Sequence, residues 1–202
     1  MSEREKSGMA TSTKVILAVV GIGGVALLVC CGVAIWFFSQ SFDVIENPDD
    51  VQAMADSIAT IEIPAPYQPY RGMKFDLGVS MQMALFSRNG GNQQGAVVLM
   101  QMAAPGQQND EQMKAQFRQQ MQQSGQNQEI NVESSETRTF VIDGEECDFE
   151  FVSGTDQSGN QVRQVTGVFP GRGGAAFLMV LEQEDNWDED AVVQMIESIT
   201  AE

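Results

Sequence analysis

Carboxylates are the main side chains in this sequence that could do chemistry. Glu146, Asp148 and Glu150 alternate along one predicted strand, so they project from one face of it. Paired carboxylates perform the acid-base chemistry of glycoside hydrolysis, which keeps a carboxylate-dependent hydrolase as an alternative function. Three acids on one strand face are more typical of the solvated side of a sheet, or of an edge guarded against aggregation. We expect these three carboxylates to lie on the solvated side of the sheet or at a guarded edge.

The densest group of acids lies near the C-terminus. Oxygen ligands in such number could hold Ca²⁺, but their spacing does not fit an EF-hand loop and no glycine stands at its turn position. Acids also concentrate in the first turn of a helix, where the helix dipole favours negative charge. We therefore predict a solvated helix start and no metal site. The group consists of Glu182, Glu184, Asp185, Asp188, Glu189 and Asp190.

Other catalytic groups are missing or isolated in the sequence. There is no histidine, which removes the usual acid-base group at neutral pH. Cys30 and Cys31 lie in an apolar run, which leaves Cys147 as the one thiol of the remaining chain, and its alternation with two phenylalanines predicts burial. Residues 171–174 are glycine-rich but lack the Lys-Ser/Thr ending of a phosphate loop. We predict no catalytic, cofactor-binding or metal-ligating residue.

Residues 15–38 form an apolar run without charge, Asn, Gln or Pro. A helix of that length crosses about 30 Å of hydrocarbon, and the run is too long for the core of a signal peptide. We predict a single uncleaved transmembrane helix. A secreted form produced by cleavage near Ser41 is the alternative.

The charges on the two sides of this helix differ in sign. Residues 1–14 hold three bases and two acids, which leaves 26 acids and 8 bases, a net charge of −18, for the rest of the chain. Residues 1–14 are polar and small and are predicted to be disordered. The positive-inside rule places this tail in the cytoplasm and the C-terminal domain outside it. Because so acidic a surface repels phosphate backbones, we exclude nucleic acid as a partner and expect the membrane and a membrane or extracytoplasmic protein.

Helix and strand signals alternate after a linker over residues 39–47. Strict alternation of apolar residues predicts strands, and the dipeptide Asp143-Gly144 predicts a two-residue turn between two of them. Apolar residues recurring every three or four positions predict helices that begin at Pro48, at Asn109 or Asp110, and at Asp185 or Asn186. The strands are predicted at residues 61–63, 79–85, 96–102, 137–142, 146–151, 161–169 and 175–182.

Strands joined by short turns must be antiparallel, so the predicted fold class of residues 48–202 is α+β. We expect an antiparallel sheet flanked by amphipathic helices and preceded by the transmembrane helix.

The layout combines a proline-flanked Ile61-Glu62-Ile63 entry, an inserted middle helix and an Asp-rich closing helix that ends at Ile196-Glu197-Ser198-Ile199. Over residues 59–200 this layout resembles the Mog1/PsbP-like domains. The resemblance implies a small non-enzymatic binding or assembly domain outside the cytoplasm. We therefore predict a single-pass membrane-anchored extracytoplasmic binding or scaffolding protein that needs no cofactor.

Overall fold

A computed structural model describes residues 42–76, 80–88, 95–103 and 130–201. The predicted cytoplasmic tail, the predicted transmembrane helix at 15–38 and the predicted middle helix at 109–125 lie outside these residues. Within the described residues, no helix has both the length and the apolar character that a membrane crossing requires. Residues 42–202 form a compact unit of their own.

The described strands form one antiparallel sheet, which confirms the central prediction of the fold class. Strand alternation drives this outcome, since it gives the strands an apolar face toward a common core. The spatial order is β1-β2-β3-β4-β8-β7-β6-β5. The strands are β1 (Phe42–Ile45), β2 (Tyr67–Asp76), β3 (Ser80–Arg88), β4 (Gly95–Ala103), β5 (Ile130–Ile142), β6 (Glu145–Asp156), β7 (Gln161–Gly171) and β8 (Gly174–Gln183). Strands β7 and β8 also bury Val168, Ala175 and Phe177 in a second cluster on the opposite face.

Two described helices pack on the sheet. Helix α1 (Pro48–Ile58) begins with proline in its first turn and is capped by Asn47, whose side chain accepts a hydrogen bond from the Asp49 N–H at 3.1 Å. Helix α2 (Glu189–Glu197) is capped by Asp188. The predicted cap at Asp185 or Asn186 is wrong, because Glu184–Asn186 form a separate 3-10 turn before the helix.

Both helices cover the same face of the sheet. Buried residues of both helices, such as Met54 and Ile196, belong to one hydrophobic core. The sheet contributes residues that lie side by side across it, namely Leu99 on β4, Leu178 on β8 and Phe149 on β6. In the described part of the chain, the helices therefore cover one face, whereas the sequence predicts flanking helices without assigning them to a side.

Turn chemistry agrees with the sequence at the β5–β6 hairpin. Asp143 and Gly144 both adopt positive φ angles, 51° and 83°, which is the backbone that a two-residue hairpin turn requires. The turn between β6 and β7 is held by the Asp156 carboxylate, which accepts from the N–H groups of Ser158 and Asn160, both at 2.8 Å. This is the predicted hairpin turn.

The predicted strand at 61–63 is wrong. Ile61 is buried in the core, but the Glu62 N–H donates to the Ser198 hydroxyl at 2.8 Å instead of to a neighbouring strand. Only Thr60 makes a bridge, with Thr200 near the C-terminus. Three alternating residues next to Pro64 are too few to form a ladder, so the segment packs as a connection.

Strand β1 lies inside the predicted linker at 39–47 and pairs with β2. Strand β2 falls outside every predicted strand, and it contains Pro69, a residue that disfavours the interior of a strand. A register shift between Pro69 and Arg71 interrupts the pairing where proline has no N–H to donate.

Candidate functional site

Polar residues form one continuous row across the helix-covered face of the sheet. Pairing in register places Ser134 beside Ser153, Ser153 beside Arg163, and Arg163 beside Glu182. Gly95 pairs with Glu182 on the other side. Arg88, whose preceding residue Ser87 pairs with Ala96, continues the row and pairs with Tyr67 on β2. We call these residues the polar row.

One end of the polar row is closed around Glu182. This carboxylate is 1% exposed, and it accepts from the Tyr67 hydroxyl at 2.8 Å and from Arg88 Nε at 2.7 Å. Its second oxygen accepts from the Gln183 N–H at 3.0 Å. A buried carboxylate is tolerated when charge and hydrogen bonds compensate it, and both are present here.

Two neighbours complete this enclosure. The Arg88 guanidinium lies 5.3 Å from the centre of the Tyr67 ring, a distance at which the cation is attracted to the ring face. Gly95 leaves room for the carboxylate, since a Cβ atom there would lie 2.4 Å from Glu182 Oε2. Burial, and secondly the hydrogen bond to Glu182, raise the pKa of the Tyr67 hydroxyl well above its ordinary value. Tyr67 is therefore a protonated donor at neutral pH.

The other end of the polar row borders a small open cleft. Its volume is about 60 Å³, and it lies between strands β5, β6 and β7 and the residues that lead into α2. That volume has room for a few water molecules. The polar residues of its lining are Ser134, Glu136, Arg138, Ser153, Arg163, Gln164, Trp187 and Glu189.

Both arginines of the cleft are engaged by carboxylates. Arg163 makes a two-point pair with Glu184 at 2.6 and 2.9 Å. Arg138 contacts Glu136 at 3.0 Å and Glu189 at 2.8 Å, and its guanidinium lies 4.4 Å from the centre of the Phe151 ring. The hydrogen bonds from Arg163 hold the pKa of Glu184 below its usual value. These three carboxylates outnumber the two guanidinium groups, so the cleft offers no net positive charge.

One polar group of the cleft is unsatisfied among the described residues. The indole N–H of Trp187 is buried and has no hydrogen-bond partner in the described part of the protein. The Ser134 and Ser153 hydroxyls, by contrast, bond to each other at 2.6 Å. A cleft of this size is far below the roughly 300–1,000 Å³ of small-molecule sites. It can take water or a single small group, and it is too small to enclose a drug-sized ligand.

The structure places the carboxylates of the hydrolase alternative on the face of the sheet opposite the two described helices. Glu146, Asp148 and Glu150 are exposed on β6, opposite the face that buries Cys147, as predicted for a solvated side. The Thr139 hydroxyl donates to Asp148 at 2.7 Å and the Ser135 hydroxyl to Glu150 at 2.7 Å. We call Glu146, Asp148 and Glu150 the acidic ladder.

Cys147 is 3% exposed, which confirms the predicted burial of the thiol.

The C-terminal acids do not act as one group. Glu182 is buried, Glu184 and Glu189 are paired with arginines, and Asp188 caps α2. The expectation of a uniformly solvated helix start is therefore wrong for Glu182. No cluster of potential metal ligands occurs among the described residues.

The polar row is not predicted by the sequence patterns, although the strand period carries a signal for part of it. Along β8 the inward positions are Ala176, Leu178 and Val180, and Glu182 is the next in phase. Arg163 on β7 is likewise in phase with the buried Val165. A charged residue at an inward position predicts a compensating partner, but local sequence does not identify which residue that is.

Comparisons with known proteins give only distant similarities. No protein-family model and no curated protein sequence matches the chain. The solution structure of the cyanobacterial PsbP protein CyanoP, from Synechocystis sp. PCC 6803, is similar at 13% identity, covering 80% of this chain and 93% of that one, with a TM-score of 0.42. The crystal structure of LpqN, involved in cell envelope biogenesis of Mycobacterium tuberculosis, is similar at 12% identity, covering 70% of this chain and 82% of that one, with a TM-score of 0.35.

The first of these structures belongs to the PsbP class that the element layout resembles. At these identities and TM-scores, neither similarity carries a functional argument for this chain.

Proposed function

We propose that this protein is a single-pass membrane-anchored binding or scaffolding protein whose α+β domain acts outside the cytoplasm. The observation that carries the proposal is the position of the acidic ladder. Its three carboxylates lie exposed on the face of β6 opposite the two described helices. A catalytic carboxylate needs burial or a close like charge to shift its pKa toward neutrality, and solvent exposure works against such a shift.

The polar row supports the same proposal. Its one buried carboxylate, Glu182, is compensated by Tyr67, Arg88 and a backbone N–H, so it has the features of a structural group. The open cleft beside Arg138 and Arg163 is too small to enclose a drug-sized ligand. Such a domain works through its surface, and a surface of this charge favours a cationic partner.

The membrane anchor is the second part of the proposal. The apolar run at 15–38 and the change in charge sign across it support an N-terminus in the cytoplasm and a C-terminal domain outside. Anchoring raises the local concentration of a binding domain near a membrane partner. The Mog1/PsbP-like layout, which implies a small non-enzymatic binding domain, agrees with this role.

A pair of reporter fusions tests the topology. A reporter active only in an oxidising compartment, fused after Glu202, should be active, and a cytoplasm-specific reporter at the same position should be silent. Activity of the cytoplasmic reporter would overturn the assignment. Fusion to residue 14 supplies the control, because there the two reporters should exchange behaviour.

Removal of the anchor tests whether the domain works at the membrane. Deletion of residues 15–38 should abolish cross-linking of the domain to membrane partners, and an unrelated transmembrane helix of equal length should restore it. Undiminished cross-linking of the chain without its anchor would contradict an anchored binder.

A further inference from the structure

Strand β5 is a long edge of the sheet. In the described residues it pairs only with β6, and from Ser134 to Ile142 that pairing is continuous. The opposite edge, β1, has 4 residues, whereas β5 has 13. Proteins usually keep edge strands short or covered, because unpaired N–H and C=O groups can pair with another chain. The length of β5 marks it as a surface for strand addition.

Exposed side chains accompany this edge. Val132 is 55% exposed and Val141 is 70% exposed, so an apolar residue stands near each end of β5. Ser135, Thr137 and Thr139 are exposed between them. A strand added along β5 would cover both valines, and these short hydroxyl side chains would not obstruct it.

The acidic ladder runs parallel to this edge on the neighbouring strand. Ser135 and Thr139 on β5 hold Glu150 and Asp148 by hydrogen bonds, which fixes these carboxylates toward the edge. A strand added to β5 would lie about 4.8 Å from it and twice that distance from β6. Lysine and arginine side chains are long enough to extend across β5 and approach the ladder. The ladder therefore favours basic residues at alternate positions of the added strand.

We propose that the β5 edge binds an extended segment of a partner protein by strand addition, with lysine or arginine at alternate positions facing the acidic ladder. The proposal rests on the proposed binding function and names the chemical class of its partner. Backbone hydrogen bonds to β5 would give the affinity, and the ladder would give the preference for basic sequences.

The charge of the domain argues against a second copy as the occupant. Residues 39–202 carry a net charge of −18, so pairing two β5 edges would bring two strongly negative domains together. It would also place the two acidic ladders on the same side of the joined sheet. A basic segment relieves this repulsion, and a second copy increases it.

Peptide binding to the full-length chain in non-ionic detergent tests the proposal. The probe is a short peptide that alternates lysine and threonine. It should bind, and a peptide that alternates glutamate and threonine should not. Failure of the lysine peptide to bind would overturn the proposal, as would equal binding of both.

Backbone methylation separates strand addition from simple charge attraction. Two further lysine peptides carry N-methyl groups, one on every lysine and one on every threonine. Only alternate N–H groups of an added strand face its neighbour, so one methylated peptide should bind about tenfold or more weakly and the other nearly as well as the parent. Equal binding of both methylated peptides at the parent affinity would show charge attraction alone and would contradict strand addition.

Substitution of the ladder tests the role of charge. The triple variant E146Q/D148N/E150Q should weaken the lysine peptide several-fold and flatten the dependence of binding on salt. The matched control D185N/D190N/E197Q removes the same charge from exposed acids on and just before α2 and should have a much smaller effect. Equal losses in the two variants would show that only net charge matters. Unchanged thermal unfolding verifies that both variants are folded.

The occupant is tested by photo-cross-linking from Thr137 in the membrane. Cross-links to another protein through a basic segment support the proposal, and cross-links between two copies of the chain would replace it with self-association. If the reporter fusions place the domain outside and the peptide fails, the strand-addition proposal is wrong and the binding function stands. If the topology is reversed, the binding function itself fails.

Discussion

The two ends of the polar row contain the same kinds of groups in opposite environments. At the closed end, Arg88 is paired with a carboxylate that is 1% exposed. At the open end, Arg163 is paired with Glu184, and these side chains are 35% and 44% exposed. The pair distances are nearly equal, 2.7 and 2.6 Å. The distances therefore do not distinguish the two pairs, and burial does.

Because of this difference in burial, the two ends should contribute differently to the stability of the fold. Removing one partner of a buried pair leaves an uncompensated charge in a low-dielectric site, so the closed end is needed for stability. An exposed pair exchanges its partner for water at little cost, so the open end is free to vary. The open end also lies beside β5, whose edge is the proposed binding surface. The buried pair and the proposed binding surface thus lie at different places on one sheet.

The largest predicted effect is the loss of Glu182. Glu182→Ala removes the acceptor of both Tyr67 and Arg88 and should lower the free energy of unfolding by about 3 kcal/mol, measured by chemical denaturation of the full-length chain in detergent. Glu182→Gln, which keeps the size and one acceptor, is the control and should cost less. If Glu182→Ala were no more destabilising than Glu184→Ala, the distinction between the two ends would fail.

The second prediction concerns the space that Gly95 leaves for the same carboxylate. Gly95→Ala places a methyl group 2.4 Å from Glu182 Oε2, so the carboxylate must move away from its donors. We expect a loss of about 2 kcal/mol in the same unfolding assay. Gly144→Ala is not suitable as a control because of its positive φ. The double variant Gly95→Ala/Glu182→Ala is the control. Relative to Glu182→Ala alone, the added methyl group should then cost much less than about 2 kcal/mol, and an undiminished cost would show that the methyl clashes with another group.

These features show what the sequence could and could not predict. Asp143-Gly144 fixes its turn through backbone preference alone, and the apolar stripe of α1 was found because its period is local. Residues 61–63 alternate like a strand, but the Glu62 N–H donates to the hydroxyl of Ser198, which is 136 positions away in the sequence. Pattern reasoning works where the deciding contact is near in sequence.

The polar row depends on contacts between residues that are far apart in sequence. The hydrogen bond from Tyr67 to Glu182 spans 115 positions, and the pair of Arg88 with Glu182 spans 94. The strand period marks Glu182 as inward, whereas Tyr67 and Arg88 lie outside the predicted strands, and only the strand order β2-β3-β4-β8 brings the three together. Because β8 follows β4 in space and not in sequence, the closed end could not be assembled from local signals.

The third prediction is a pH dependence that belongs to the closed end. Burial raises the pKa of the Tyr67 hydroxyl above its ordinary value near 10, so the folded protein keeps this proton after the unfolded chain has lost it. Stability should therefore fall as pH rises above about 10, by at most ~1.4 kcal/mol per pH unit. Tyr67→Phe should remove this alkaline fall and cost about 1.5 kcal/mol at neutral pH. Tyr70 lies on the same strand but is exposed, so the variant Tyr70→Phe should keep the alkaline fall in stability. If that variant lost the alkaline fall, the assignment to Tyr67 would be wrong.

The smallest predicted effect is at the open end. Glu184→Ala breaks the two-point pair with Arg163 and should cost less than about 1 kcal/mol at low salt, and less again at high salt, because solvent screens both side chains. The lowered pKa of Glu184 fixes the sign of its pH dependence. The pair contributes stability above the ordinary pKa of about 4.5, and the contribution is lost as pH falls below it. Unfolding of the parent and of Glu184→Ala should therefore converge in acid. A loss as large as that of Glu182→Ala, or one insensitive to salt, would mean that burial does not separate the two ends.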